Sequence, residues 1–275
     1  MPVGHAILVG VDAYDHYSPL RFCSADVAMM TRCLRETRAF GVPPDKISQL
    51  STDTRTPPTR ESILGLVRQV LSTRQDDEGI FFYFAGHGKA HRGKPYLVTQ
   101  DTRPSDFADS AIAVEDLLAS LRDATVPTRV FVLDSCHSGI HRDAGRQRGT
   151  GVDAFERTLT QLFLQDEGSV VFSSATLDEV ARETILNGEG HGVFTHAFAE
   201  SHPEQRRSAD SGQLACVETL YTRARGLTLE LSRSTQHPRL LYAAGDPIPL
   251  FPDIPDTAEL VQRASGDFMS MTIEN

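Results

Sequence analysis

A histidine and a cysteine stand in two segments whose residue types could support nucleophilic chemistry. His87 follows the apolar run IFFYFAG and precedes Gly88, and Cys136 follows the run VFVLDS. A thiol with its ordinary pKa of about 8.5 is mostly protonated at neutral pH, and a facing imidazole is the base that can make it a nucleophile. Glycines flank His87 and small residues surround Cys136, which leaves room for a substrate backbone. These features predict a Cys/His dyad.

The two residues are predicted to lie just beyond the carboxyl ends of two strands. The continuous apolar runs Gly79–Ala85 and Arg129–Asp134 have the composition of strands that are covered on both faces. In an open parallel sheet, ligands bind in the crevice outside the carboxyl ends of the strands. We therefore expect neighbouring strands to bring His87 and Cys136 face to face.

The same residues permit other interpretations. His137 is a rival base, although adjacent residues of an extended chain point to opposite faces. His87 could be a satisfied histidine in a glycine turn, and Cys136 a structural thiol, since free cysteines are commonly buried. A zinc site of Cys136, His137 and His141 is also conceivable, but these residues crowd one irregular loop without a second pair of ligands.

Apolar runs alternate with amphipathic segments along the chain, which is typical of an α/β fold. We expect a three-layer α/β/α sandwich with one six-stranded, mostly parallel sheet. The four further strands are predicted at His5–Val11, Lys46–Ser51, Ser169–Ser174 and Arg239–Ala243. Helical periodicity predicts helices that include Phe22–Leu34, Ile63–Leu71, Val114–Leu121, Val152–Leu164, Val193–Glu200 and Leu214–Leu231.

The composition excludes several classes of protein. With 40% hydrophobic and 23% charged residues in 275, the chain is neither disordered nor collagen-like. A formal net charge of −10 argues against a nucleic-acid partner. The amino-terminal apolar run is too short for a signal sequence or a membrane span, so we expect a cytoplasmic protein without membrane contact. Four cysteines without a CxxC pair predict no disulfide scaffold.

The motifs resemble those of caspase-like cysteine peptidases, and among these the metacaspases and bacterial orthocaspases. The resemblance covers Ile7 to about Leu241 and is carried by AILVGVDAY, FCSAD, FFYFAGHG, VFVLDSCHSG, SSATLDEVARE and HGVFTHAF. Caspases place their histidine about 50 residues before the cysteine, and His87 stands 49 residues before Cys136. The resemblance implies a cysteine endopeptidase with this catalytic pair, and an oxyanion hole formed by the backbone N–H groups of Gly88 and Cys136.

The order of the motifs implies a single caspase-like domain with four regions. Residues 1–138 are large-subunit-like, 139–151 form a mobile loop rich in arginine and glycine, 152–245 are small-subunit-like, and 246–275 form a proline-rich tail. Many caspase-like enzymes are cut in the loop between the two subunit regions. Autocleavage at Arg142, Arg146 or Arg148 is therefore a hypothesis, with an ordinary solvated loop as the alternative.

The resemblance also implies a pocket for the residue that precedes the cleaved bond. Metacaspases hold arginine or lysine there with acidic side chains, and the matching positions are Cys23, Asp26 and Asp134, with Ala85 where the family often has serine. Because a carboxylate pairs with guanidinium through charge-assisted hydrogen bonds, we expect cleavage after arginine, and then lysine, in protein or peptide substrates. Asp26 as a solvated helix residue and Asp134 as a turn cap are the alternatives.

Many metacaspases require calcium, but the segment after GHG, KAHRGKPYLVTQD, is basic where the family is acidic. The scattered residues Asp101, Glu115 and Asp116 are better explained as solvated surface, so we expect no cofactor and no need for calcium. A monomer is expected. The resemblance alone suggests an activating protease or regulatory partner and a role in bacterial stress, cell death or antiviral defence. The alternative function is a catalytically silent caspase-like binding scaffold.

Overall fold

The element boundaries follow the alternation of apolar and amphipathic segments. The computed structural model describes residues 3–35, 40–136, 152–163, 166–175, 179, 181–186, 188–201 and 217–242, with the backbone alone at 136, 152–156 and 186. Within these ranges the strands are β1 Val3–Gly10, β2 Ile47–Ser51, β3 Gly79–His91, β4 Lys94–Leu97, β5 Ile112–Ala113, β6 Arg129–Cys136, β7 Ser169–Ser173, β8 Glu183–Leu186, β9 Glu189–Gly192 and β10 Arg239–Tyr242. The helices are α1 Cys23–Arg35, α2 Arg60–Thr73, α3 Phe107–Ser110, α4 Val114–Asp123, α5 Val152–Phe163, α6 Val193–Glu200 and α7 Val217–Leu231.

The six predicted strands form one sheet in the order β10-β7-β6-β3-β1-β2. Neighbours run parallel, except that β10 is antiparallel to β7. The predicted mostly parallel sheet is therefore confirmed. Two features were not predicted. The short strands β4 and β5 extend the sheet from the far end of β3 by antiparallel pairing, and β8 pairs with β9 in a separate hairpin.

Two helical layers cover the sheet because successive strand residues point to opposite faces. Phe81 and Tyr83 of β3 belong to the core beneath α1, α6 and α7, whereas Phe82 and Phe84 belong to the core beneath α2, α4 and α5. All four aromatic side chains are buried, and each such burial contributes roughly 1.5–3 kcal/mol. β3 thus joins the two cores of a three-layer α/β/α sandwich, as predicted.

Two strands are longer than the sequence predicts. β3 continues past Ala85 to His91, and β6 continues past Asp134 to Cys136. The prediction that His87 and Cys136 lie just beyond their strands is therefore wrong, because both residues belong to strands. Glycines suggested a turn at His87, but the chain stays extended because it pairs with β6 up to His87 and with β4 from Gly88 onward.

Several predicted features lie outside the described residues. These are the loop 139–151, the tail 246–275 and residues 214–216 at the predicted start of α7. The division into subunit-like regions therefore stays a prediction. Among the described helices, none has both the length and the apolar composition that a membrane crossing requires.

Candidate active site

The register of the central sheet sets His87 opposite Cys136. The parallel strands β3 and β6 pair Ala85 with Asp134, Gly86 with Ser135, and His87 with Cys136. Four predicted site positions therefore meet where the parallel pairing of β3 and β6 ends, and ligands bind at this edge in open parallel sheets. The Cys136 thiol lies outside the described side chains, so its position is given by the backbone pairing.

The His87 ring is buried and oriented by two residues outside the dyad. Its Nε2 atom lies 2.8 Å from the carbonyl oxygen of Ser18, and its ring packs on the Tyr14 ring with 4.7 Å between centroids. Because a carbonyl oxygen can only accept a hydrogen bond, Nε2 carries the proton. In the neutral ring the lone pair is then on Nδ1, so Nδ1 is the atom that can act as a base.

Tyr14 also holds the backbone of the histidine. Its hydroxyl oxygen accepts a hydrogen bond of 2.8 Å from the His87 N–H. Gly86 makes this approach possible, since a Cβ there would lie only 2.8 Å from the Tyr14 hydroxyl. Gly86 therefore leaves room for the Tyr14 side chain, whereas the glycines around His87 were expected to leave room for a substrate backbone.

The four predicted substrate-binding residues line one small cavity beside the dyad. Its walls are Leu20, Cys23, Asp26, Ala85, Gly86, Asp134, Ala181, Arg182, Glu183 and Gly192. The cavity volume is about 20 Å³, which is room for one water molecule. Three carboxylates and one guanidinium are among these groups, so acidic side chains predominate. The structure thus brings the predicted pocket residues together, while their role in substrate binding stays a prediction.

Asp12, two residues after β1, positions the helix that carries two of these residues. Its carboxylate accepts hydrogen bonds from the N–H groups of Cys23, at 2.6 Å, and Ser24, at 2.9 Å. Such capping contributes about 0.5–2 kcal/mol and fixes the first turn of α1. Burial and the carboxylates of Asp12 and Asp26 raise the pKa of the Cys23 thiol, which therefore stays protonated.

Asp26 is buried, and the alternative interpretation as a solvated helix residue is wrong. Its carboxylate accepts a hydrogen bond from Gly192 N–H at 3.1 Å, and its Oδ1 atom lies 3.1 Å from His191 Nδ1. Burial is the main reason that the pKa of Asp26 rises to about 7; Asp134 also raises it, whereas the hydrogen bonds from His191 and Gly192 lower it.

Asp134 caps a distant helix, not a neighbouring turn. Its Oδ2 atom accepts hydrogen bonds from the backbone N–H of Thr195 at 3.2 Å and from the Thr195 hydroxyl at 2.7 Å. Thr195 lies in the first turn of α6, where orphan N–H groups favour a negative charge. Burial raises the pKa of Asp134, and the bonds from Thr195 lower it.

The two carboxylates converge on Gly192. A Cβ at this glycine would lie 2.6 Å from Asp134 Oδ2 and 3.0 Å from Asp26 Oδ2. The glycine has φ of −61°, which any residue adopts, so it is required here for space. Two acidic groups around one bare Cα form a site that favours a cationic group over a neutral one.

Several residues that build this site were not predicted from the sequence. Tyr14, Glu183, His191 and Thr195 all lie inside the motifs that carry the family resemblance, and that was the available signal. Glu183 lines the cavity and its Oε1 atom accepts a hydrogen bond from the N–H of Arg21 at 3.1 Å. The Ser18 carbonyl had no signal at all, because every residue type presents one.

Other candidates lie elsewhere or outside the described residues. Asp101 Oδ1 accepts a hydrogen bond of 2.9 Å from Arg60 N–H, and Glu115 pairs with Lys94 at 2.6 Å. Within the described ranges, no group of three or more His, Cys, Asp or Glu residues could hold a metal ion. The rival residues and the proposed autocleavage sites are not described; they are His137, His141, Arg142, Arg146 and Arg148.

Most of the chain is similar in sequence to known proteins. The family model described as Caspase domain, Peptidase_C14, matches residues 3–241. Metacaspase-1A of Aspergillus oryzae is 28% identical over 149 residues, and metacaspase-2 of Trypanosoma brucei brucei is 27% identical over 206 residues. These alignments cover 49% and 68% of this chain but only 34% and 58% of the two relatives, so the chain spans a third to somewhat over half of their length.

Two solved structures share the fold at low sequence identity. Pro-sf-caspase-1 has a TM-score of 0.60 at 13% identity, with 92% of each chain covered. Protein GSU0716 of Geobacter sulfurreducens has a TM-score of 0.57 at 18% identity, with 89% of this chain and 95% of the other covered. At such identities these structures bear on the fold alone.

Proposed function

The chain belongs to the caspase-domain family, and on that premise we propose that it is a cysteine endopeptidase that cleaves peptide bonds after arginine and, second, lysine. The observation that carries the proposal is the register of β3 and β6, which sets His87 opposite Cys136, two positions beyond the pair of Ala85 and Asp134. A base and a nucleophile thereby adjoin a cavity with two buried carboxylates.

The reaction starts with proton transfer from the Cys136 thiol to Nδ1 of His87. The thiolate attacks the carbonyl carbon of the scissile bond, and the N–H groups of Gly88 and Cys136 stabilise the oxyanion, each by roughly 3 kcal/mol. The imidazolium then donates its proton to the leaving amine, which leaves a thioester on Cys136. Water hydrolyses the thioester with His87 as the base. The Ser18 carbonyl favours this cycle because it holds the Nε2 proton throughout.

The pocket carboxylates account for the preference for a basic side chain. A guanidinium group that reaches Gly192 would meet Asp26 and Asp134 together, with Glu183 nearby. Charge-assisted hydrogen bonds of this kind are roughly twice as strong as neutral ones. Because the cavity has room for about one water, an arginine side chain enters only when the walls move apart.

Six further properties belong to the same proposal. The enzyme needs no calcium, acts as a cytoplasmic monomer, and cleaves itself at Arg142, Arg146 or Arg148 in the loop 139–151. An activating protease or a regulatory partner controls it. A role in bacterial stress, cell death or antiviral defence follows from the family resemblance. Cleaved proteins in the host lysate, found by sequencing new amino termini, would identify the substrates.

The test uses fluorogenic peptides that end in arginine, lysine or aspartate before the reporter group. We expect the native enzyme to prefer arginine, and Cys136→Ala to lower the rate by more than about a thousandfold. Asp26→Asn keeps the shape of the side chain and removes its charge, so we expect it to lower kcat/KM for arginine peptides by about a hundredfold or more. A gel of the same incubations reports autocleavage.

A different result would contradict the pocket, the nucleophile or the autocleavage. A preference for aspartate would refute the pocket, and activity that survives Cys136→Ala would refute the nucleophile. A chain that stays intact while it hydrolyses peptides would refute autocleavage alone. Inactivity of the folded enzyme on all three peptides would favour the alternative, a caspase-like scaffold.

A further inference from the structure

We propose that His191 is the resident counter-ion of Asp26 and thereby determines how strongly the pocket selects a basic side chain. In the empty enzyme the protonated imidazole faces the carboxylate. An entering guanidinium or ammonium group takes over as the counter-charge, and His191 releases one proton to solvent. The inference rests on the proposed function, because it concerns the pocket for the residue before the cleaved bond.

The contact between the two side chains is buried on both sides. His191 Nδ1 lies 3.1 Å from Asp26 Oδ1, and the two side chains are only 2% and 5% exposed. A buried carboxylate without a partner is costly, so it either finds a counter-charge or becomes protonated. The other oxygen, Oδ2, is the one that faces the space above Gly192. His191 therefore contacts one oxygen of the carboxylate, while Oδ2, which accepts a hydrogen bond of 3.1 Å from Gly192 N–H, faces the cavity.

The imidazole also has a path for its proton. Its Nε2 atom lies 3.4 Å from Oε2 of Glu189, whose side chain is 67% exposed. Loss of the Nε2 proton through Glu189 leaves the Nδ1–H bond to Asp26 in place. The charges balance, since one proton leaves as one positive charge arrives with the substrate.

The surrounding charges act in both directions on this proton. The hydrogen bond to Asp26 is the main reason that the pKa of His191 is raised, and burial opposes it. Glu189 of β9 also raises the pKa of His191, whereas Asp134 of β6 raises the pKa of Asp26 and Glu183 of β8 raises that of Cys23. The His196 ring of α6 lies 6.2 Å from the His191 ring between centroids, and burial lowers its pKa, so it stays neutral at neutral pH. Arg32 of α1 contacts Glu189 at 3.7 Å, and Arg182 lies in the cavity wall. The raised pKa values of Cys23 and Tyr83 keep both of these groups neutral.

The proposal predicts how the binding of a basic side chain depends on pH. Because the pKa of His191 is raised, its ring keeps the proton to a higher pH than a free imidazole and loses it as the pH rises further. Binding of a cation that expels this proton is therefore weaker at low pH and stronger at high pH, by up to tenfold per pH unit. Without the imidazole, burial and Asp134 would protonate Asp26 at a higher pH than in the native enzyme.

The experiment compares peptides that carry arginine or its neutral isostere citrulline before the cleaved bond. The ratio of their kcat/KM values is measured between about pH 5.5 and 8.5, which cancels changes in the dyad. His191→Asn keeps a donor toward Asp26 but cannot carry a charge. In the native enzyme we expect the arginine-to-citrulline ratio to rise with pH. In His191→Asn we expect this rise to occur at higher pH, and the ratio near pH 6.5 to be about tenfold lower than in the native enzyme. His196→Asn removes a neighbouring histidine that does not contact Asp26, and we expect the native profile.

The outcomes separate this inference from the proposed function. Superimposable ratio profiles of the native enzyme and His191→Asn would overturn the counter-ion role while arginine preference stands. The absence of arginine preference at every pH would overturn the pocket itself. A measurement on the native protein needs no variant: the NMR titration of His191, with and without a peptide aldehyde that ends in arginine. We expect its pKa to fall on binding, and an unchanged titration would contradict the proposal.

Discussion

At the scale of single residues, the state of the base depends on atoms that are not part of the dyad. The Ser18 carbonyl selects the Nε2-protonated form of His87, and the Tyr14 hydroxyl accepts the bond from its N–H. A hydrogen bond from the ring nitrogen that faces away from the reaction commonly fixes the tautomer and the orientation of a functional imidazole. Ser18 and Tyr14 therefore support the dyad of His87 and Cys136, and each of the four residues has a distinct task.

Tyr14→Phe tests this arrangement because it removes the hydroxyl and keeps the ring. We expect kcat to fall about three- to tenfold with KM nearly unchanged, since one hydrogen bond contributes roughly 0.5–1.5 kcal/mol to the position of the base. Steady-state kinetics with an arginine peptide measures the split. Tyr17→Phe is the matched control, because the buried Tyr17 hydroxyl has no hydrogen-bond partner within the described ranges. Equal losses in both variants would refute a specific role for Tyr14.

At the scale of elements, two helices that build the pocket are capped from the carboxyl edge of the sheet. Asp12 after β1 caps α1, and Asp134 of β6 caps α6. The pocket carboxylate Asp134 therefore serves the fold and the proposed specificity at once. Since the partially positive amino terminus of α6 faces this carboxylate, the helix helps to keep it ionised within a buried site.

Gly192→Ala tests the convergence of the two carboxylates on β9. The backbone permits alanine, but the new Cβ would crowd both carboxylates. We expect kcat/KM for arginine peptides to fall about ten- to a hundredfold, from overpacking of roughly 1–3 kcal/mol. Gly226→Ala in α7 has open space around the added methyl group and should raise stability by about 0.5–1 kcal/mol with no loss of activity. Unchanged arginine cleavage by Gly192→Ala would contradict the pocket geometry.

At the scale of the whole molecule, one strand connects stability with the site. β3 contributes buried aromatics to both cores, pairs with β1 and β6, and then pairs with β4 beyond His87. The base thus lies inside a strand that is anchored on all sides. Such anchoring keeps the base in place without the entropic cost of ordering a loop at each turnover.

Chelation tests whether the whole protein needs a metal ion. Two of the scattered acidic candidates are already engaged, Asp101 with the amino terminus of α2 and Glu115 with Lys94. We expect EGTA to leave the hydrolysis of arginine peptides within about twofold of the untreated rate. Calcium needs six to eight oxygen ligands, and both of these carboxylates already bind other groups of the protein. Activity that EGTA abolishes and added calcium restores would contradict this prediction.

Much of the fold could be predicted from the sequence. The strands of the sheet and helix α6 were predicted within a few residues, because buried strands and amphipathic helices leave local apolar patterns. β4, β5 and the β8–β9 hairpin were not predicted, since their short segments carry weak patterns. The extension of β3 through His87 was missed for another reason: glycines are compatible with a turn or a strand, and only the pairing partner decides between them.

The sequence by itself determined which residues could do the chemistry: His87 and Cys136, each after an apolar run, and the acidic residues Asp26 and Asp134 in recognisable motifs. Only the tertiary structure decided how these residues meet. The register of two strands set His87 against Cys136, and the packing of α1 against β9 brought Asp26 to His191, 165 residues away along the chain. Apolar periodicity is a local property, whereas register, convergence and the choice of a backbone carbonyl such as that of Ser18 arise when distant segments pack together.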